Sequence, residues 1–209
     1  RSLFQMIDQP WAESRVVSGL SSGEGLIWQV RDPITKRQPI HKGRGSSRRI
    51  SGYEEVVIDA GENDKRCLAL EAEFAGLLKV MAREGNTLSP VIRQAWDSGL
   101  LRALTKNSPA RATGAHVTII GHVTRDELRR RIANTELTNG FANRFLWLCV
   151  RRSKCLPEGG GLPDCRELVQ RVAETAKFAS TVDHMERDAQ ARGLWAEVYP
   201  SLSEGKPGL

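Results

Sequence analysis

Cys67-Leu-Ala-Leu70 is a run of four residues with no polar side chain, and it constrains the fold more than any other stretch of the chain. A strand uninterrupted by polar residues needs apolar cover on both faces, which suits a sheet sandwiched between helices. Helical spacing follows at once. Phe74, Leu77, Leu78 and Met81 share one face, and Leu88, Val91, Ile92, Ala95 and Trp96 share another. Gly85 separates these two helices, and Pro90 sits in the first turn of the second. Further strands are expected at 15–19, 55–59, 101–105, 115–121 and 145–150, each an apolar run bounded by turn residues. Strands that alternate with helices predict an α/β layered sheet.

Two helix starts carry capping-box spacing: Ser21-Ser-Gly-Glu24 ahead of Leu26, Ile27 and Val30, and Thr124-Arg-Asp-Glu127 ahead of a short basic helix over 126–132. From 33 to 52 the chain is polar and basic and follows neither period, which predicts a mobile functional loop or a disordered one. Gly159-Gly-Gly161 reads as a flexible joint between a core over 1–157 and a C-terminal helical extension over 158–209. The extension holds helices over 165–180, with Leu168, Val169, Val172 and Ala176 on one face, and over 185–198, before a frayed tail from 201. Leu3, Phe4 and Ile7 also share a helical face, so the chain opens as if in mid-helix, and a truncated protein is expected.

Lys and Arg total 31 against 25 Asp and Glu, a formal charge of +6. That balance favours an acidic partner, of which nucleic acid is the commonest, although it also suits a merely solvated surface. The four cysteines form no C-x-x-C pair, which argues against a zinc site. Cys67 and Cys149 lie in apolar runs and read as buried thiols. Free thiols suit a reducing, cytoplasmic setting, and no signal peptide or long apolar stretch marks secretion or a membrane.

Four segments can carry chemistry. Gly19-Leu-Ser-Ser-Gly-Glu-Gly25 places Ser22, Gly23 and Glu24 between a strand and a helix, where backbone N–H groups can meet a phosphate. The Gly-Lys-Ser/Thr ending of a Walker A loop is absent, and the alternative is a glycine-rich turn. Glu71 and Glu73 end a buried strand, where carboxylates can hold Mg2+ and a catalytic water, or instead complement the dipole of the next helix. His122, just past the strand at 115–121, can meet a γ-phosphate, whereas Thr124 reads as a cap. In Asn139-Gly-Phe-Ala-Asn143-Arg144, Arg144 is either an arginine finger or a structural ion pair, with Asn143 beside it. Lys42, Arg44, Arg48 and Arg49 in the basic loop, and Arg129 and Arg130 in the basic helix, can grip a nucleic-acid backbone.

Several of these stretches occur together in one known domain. The run from Val16 to Ile27, the segments 73–99 and 104–122, and Asn139-Gly-Phe-Ala-Asn-Arg-Phe-Leu-Trp147 resemble the uncharacterised-function domain of phage- and plasmid-associated primase–helicase-like proteins. The resemblance covers about 15–157 and implies a partial RecA-like P-loop NTPase sheet flanked by helices. It implies ATP and Mg2+ as cofactors, Glu71 and Glu73 on the Walker B strand, His122 on the sensor strand, and Arg144 acting within a homo-oligomer. DNA and a primase module would be the partners. The phosphate loop of that family would precede Arg1, so ATPase activity is expected of the intact parent rather than of this chain alone. A non-catalytic nucleic-acid-binding or assembly module is the alternative.

Overall fold

The structure, a computed structural model, describes residues 6–43, 49–104, 110–159, 164–182 and 184–204. Two units divide the chain, one over 13–150 and one over 1–12 with 151–209. The elements run α1 (Gln9–Arg15), β1 (Val16–Val17), α2 (Gly23–Gln29), β2 (Ile34–Lys42), β3 (Arg49–Asp59), β4 (Arg66–Glu71), α3 (Phe74–Met81) and α4 (Leu88–Asp97). They continue with β5 (Leu101–Arg102), β6 (Arg111–Ala112), β7 (His116–Gly121), α5 (Arg125–Arg131), α6 (Asn134–Thr138) and a single 3-10 turn (Ala142–Arg144). The second unit holds α7 (Arg166–Ala179) and α8 (Ala189–Ser203), neither with a buried residue. No helix among the described residues is long and apolar enough to cross a membrane.

The centre of the larger unit is a parallel three-stranded sheet in the order β1-β4-β7. Val16 lies opposite Leu68, and Leu68 opposite Thr118. β4 is the middle strand, and Cys67, Leu68 and Ala69 are buried, as an unbroken apolar run requires. Leu26, Ile27 and Val30 in and after α2, Phe74, Leu77, Leu78 and Met81 of α3, and Leu88, Val91 and Ile92 of α4 close over it. Each such side chain contributes about 1.5–3 kcal/mol on burial. The mixed α/β class therefore follows from the two periods seen in the sequence. Trp96 departs from its expected face and is 68% exposed.

The polar stretch after Pro33 is ordered where the structure describes it. β2 and β3 form a long antiparallel hairpin, with Thr35 opposite Val57 and Lys42 opposite Arg49. Most of its side chains are exposed on both faces, with Ile34, Val56 and Asp59 half-buried, so neither face carries the alternation that betrays a half-buried strand. Pro39 sits within β2, which is tolerated because each strand of a two-stranded ribbon has a free edge.

Both feet of this hairpin are pinned. Asp32 accepts hydrogen bonds from Lys65 Nζ (3.0 Å), Arg111 Nε (3.1 Å), Thr113 N (3.0 Å) and Thr113 Oγ1 (2.7 Å). Burial would raise its pKa, but the bonds from Thr113, Lys65 and Arg111 win and hold the carboxyl well below the usual carboxylate range. At the other foot, Arg31 donates to both oxygens of Asp59 (3.1 Å each) and to Glu62 (3.2 Å) while stacking 4.1 Å over Trp28. Glu62 also takes a 2.6 Å bond from Arg15, whose guanidinium donates in turn to the carbonyls of Gln29 and Asp64.

Other expectations are corrected. Ser22, not Ser21, caps α2, accepting from Gly25 N at 3.0 Å, so the Ser21–Glu24 box does not form. Thr124 and Glu127 do form theirs. The 145–150 run has no regular structure: Phe145 and Trp147 pack inward, while Leu146, Leu148 and Val150 are 74–86% exposed. Its burial alternates like a strand's, but no described strand pairs with it. Cys149 on this run is therefore exposed, whereas Cys67 is buried and its thiol pKa is pushed up by burial. α8 begins at Ala189 rather than near Met185. Thr105, Gly160, Gly161, the first five residues and 205–209 lie outside the described residues.

Candidate functional site

Parallel strands end together on one side, and in open α/β sheets that carboxyl-terminal edge is where ligands are held. Here the loops after β1, β4 and β7 meet there. Glu71 is in register with Gly121. His122 N donates to Glu71 O (2.9 Å), and Phe74 N donates to His122 O (2.8 Å), which fastens the last turn of each strand to its neighbour. Gly121 has to lack a side chain, since a Cβ there would lie 2.4 Å from Phe74 Cδ2.

Glu71 is buried, and its Oε1 accepts the N–H of Leu20 at 2.8 Å, joining the loop after β1 to the middle strand. Glu73 occupies the N-cap position of α3 without a capping hydrogen bond, and its side chain is exposed. His122 is exposed as well. The structure thus brings Glu71, Glu73 and His122 to one edge, with Glu71 half committed to holding the edge together.

The glycine-rich segment is arranged differently from a phosphate cradle. Gly23 N donates to Thr87 Oγ1 (3.2 Å), Thr87 Oγ1 donates to Glu24 Oε2 (2.9 Å), and Asn86 Nδ2 donates to Ser21 O (2.9 Å). The start of α4 is pressed so closely here that a Cβ on Gly23 would lie 2.6 Å from Val91 Cγ2. Gly23 therefore serves helix packing, Ser22 Oγ caps α2, and Glu24 Oε2 is taken by Thr87.

Arg144 is tied down in the same way. Its Nη2 donates to both oxygens of Asp97 (2.8 and 2.9 Å), and its Nη1 donates to Gly140 O (2.6 Å). The neighbouring Asn143 is exposed. The motif around them is an aromatic lock. Phe141 is fully buried, Phe145 stands edge-on to Phe74 at 5.5 Å, Trp147 does so at 6.1 Å, and Trp147 Nε1 donates to Ala142 O (3.0 Å). Behind it, Ser89 Oγ and Asn139 Nδ2 both donate to Glu136 Oε2 (2.6 and 3.2 Å).

Of the basic candidates, Lys42 and Arg49 face each other across the far end of the hairpin, and Arg129 and Arg130 lie exposed on α5, whose Leu128 is buried. None of these four forms an ion pair among the described residues. Arg44 and Arg48 lie outside the described residues.

Among the described residues no group of three or more His, Cys, Asp and Glu side chains is placed to hold a metal. Mg2+ commonly takes one or two carboxylates and completes its shell with water and substrate phosphate. Glu73 and the Glu71 oxygen outside the Leu20 bond suit that role, whereas the N-terminus of α2 does not suit the phosphate. The residues missed in the sequence are Asp32, Arg31 and Arg15. Their partners lie far along the chain, as Thr113 does from Asp32, so no local pattern marks them. Compared with family models, curated proteins and solved structures, the chain matches none.

Proposed function

We propose that this chain is the sheet core of a nucleotide-dependent replication protein of mobile elements, a partial RecA-like unit that works only with a phosphate-binding loop from outside these 209 residues. One observation carries the reading: Glu71, Glu73 and His122 meet at the carboxyl-terminal edge of a parallel sheet. In this role Glu73 holds Mg2+ or orients water, and His122 faces the terminal phosphate. Glu71 orders the edge through Leu20 and offers its remaining oxygen. The chain alone is expected to leave ATP intact, because it holds no Gly-Lys-Ser/Thr sequence and the glycine-rich start of α2 is filled by Thr87.

The test is Mg2+-dependent ATP turnover by the chain extended upstream to any phosphate loop its gene encodes, with and without Glu73→Gln. Glu73 is exposed and makes no capping bond, so the substitution leaves the fold alone. Turnover should fall by at least about a hundredfold, the scale of a lost general base or water-orienting group. An unchanged rate would remove Glu73 from the chemistry.

A second reading, nucleic-acid binding without catalysis, is favoured by the exposed cations without ion-pair partners on the hairpin and on α5. It predicts binding that weakens with salt and ignores ATP.

A further inference from the structure

We propose that the β2–β3 hairpin is a rigid arm that enters the major groove of duplex DNA, with Lys36, Lys42 and Arg49 on the phosphates. This deepens the nucleic-acid-binding reading and rests on it.

Shape comes first. β2 spans nine residues, so the arm is ~30 Å long at about 3.3 Å per residue. It is a single antiparallel pair that joins neither of the other sheets. Such a ribbon is what the B-form major groove, about 12 Å wide, admits besides a helix. A free two-stranded hairpin is marginally stable in water. This one is held by the two polar hubs at its feet, Asp32 with Lys65 and Thr113, and Asp59 with Arg31.

Charge comes second. Lys42 lies directly opposite Arg49 at the far end. Like charges directly opposed across a ladder are destabilising, so the pair is a cost to the free protein that an anion would offset. Lys36 stands opposite the uncharged Val56. The acidic residues Glu54 and Glu55 sit at mid-arm, opposite Gln38 and Arg37 and between Lys36 and the far end, so Lys42 and Arg49 at the described far end are the cations clear of any carboxylate on the arm.

Surface chemistry comes third. Ile50 and Tyr53 are 54% and 58% exposed on this arm. The Arg37 guanidinium lies 5.4 Å from the centre of the Tyr53 ring, and the groove offers thymine methyl groups and base edges to the rest of this apolar surface.

The experiment is fluorescence anisotropy of a labelled mixed-sequence duplex across a salt series, using the full chain. The double substitution Lys42→Ala with Arg49→Ala should weaken binding ~60-fold near 0.1 M salt and lower the slope of log affinity on log salt by about 2, one unit per phosphate contact. Lys42→Gln with Arg49→Gln should do the same, which guards against a hairpin disturbed by alanine. Duplex RNA should bind more weakly, since its major groove is too narrow for a ribbon. Undiminished binding by the arm variants, with loss on Arg129→Ala and Arg130→Ala, overturns the arm while leaving nucleic-acid binding in place. No salt-dependent binding to any nucleic acid overturns both. Single strands or duplex RNA bound as tightly as duplex DNA overturn groove entry.

Discussion

Replacing Asp32 with alanine tests how the hairpin is held to the sheet. Its carboxylate receives four hydrogen bonds, from Lys65, Arg111 and both the backbone and hydroxyl of Thr113. Arg111 is largely exposed, so its share is small. Lys65 keeps the carbonyls of Val30 and Arg31 as partners after the change. The loss therefore centres on the two Thr113 bonds and the charge-assisted part of the Lys65 bond, together about 3 kcal/mol. For a domain of this size that lowers Tm by roughly 6–12 °C. Thermal unfolding followed by near-ultraviolet circular dichroism reads it directly. The pH dependence has a definite sign. The folded-state pKa of Asp32 is depressed, so its stabilisation is fully present above the ordinary aspartate value of about 4 and fades as pH falls through the folded value. Asp32→Asn should flatten that acid limb while lowering Tm at neutral pH. A Tm within about 2 °C of the parent for Asp32→Ala, or an unchanged acid limb for Asp32→Asn, would refute the hub as the anchor.

Two further outcomes follow from the packing at the site. Gly121→Ala drives a methyl into Phe74 at 2.4 Å, and should cost about 1–3 kcal/mol in chemical denaturation, as overpacking does. Arg144→Ala removes the two bonds that Nη2 makes to Asp97 and the bond from Nη1 to Gly140; it should cost about 1–2 kcal/mol by urea unfolding, with Asp97→Ala giving a smaller loss in the same direction. A finger acting on a neighbouring nucleotide would instead lose turnover with its stability unchanged.

The parts legible in the sequence are those where one local period decides the burial. Cys67–Leu70 and the faces of α3 and α4 are of that kind, and so is the Thr124 cap, whose partner is three residues away. Of the arm, only 55–59 is legible, as an apolar run that forms the end of β3; the rest is not, because neither face is covered, so its residues carry no period, and Pro39 argues against a strand. At 145–150 the opposite happened. Strand-like alternation is present, but a strand needs a neighbour, and burial of Phe145 and Trp147 on Phe74 produces the same pattern without one. At the candidate site, the positions of Glu71 at the end of its strand and His122 just beyond its own are legible, because strand ends are local. That Gly23, Glu24 and Arg144 are committed to Thr87 and Asp97 could not, because those partners are distant in sequence.

The same ribbon bears on how the chain finds its fold. Val16 must meet Leu68, and Leu68 must meet Thr118, each about fifty residues away, so the sheet pays loop-closure entropy before any ladder bond forms. The hairpin lies wholly within the first of these loops and brings Ile34 beside Asp59. Its contacts are local, and hairpins close in about 1–10 μs. Once closed, it roughly halves the loop between β1 and β4, which lowers the closure cost by about 0.6 kcal/mol. Unzipping the arm should therefore slow refolding of the sheet even where the arm touches none of it.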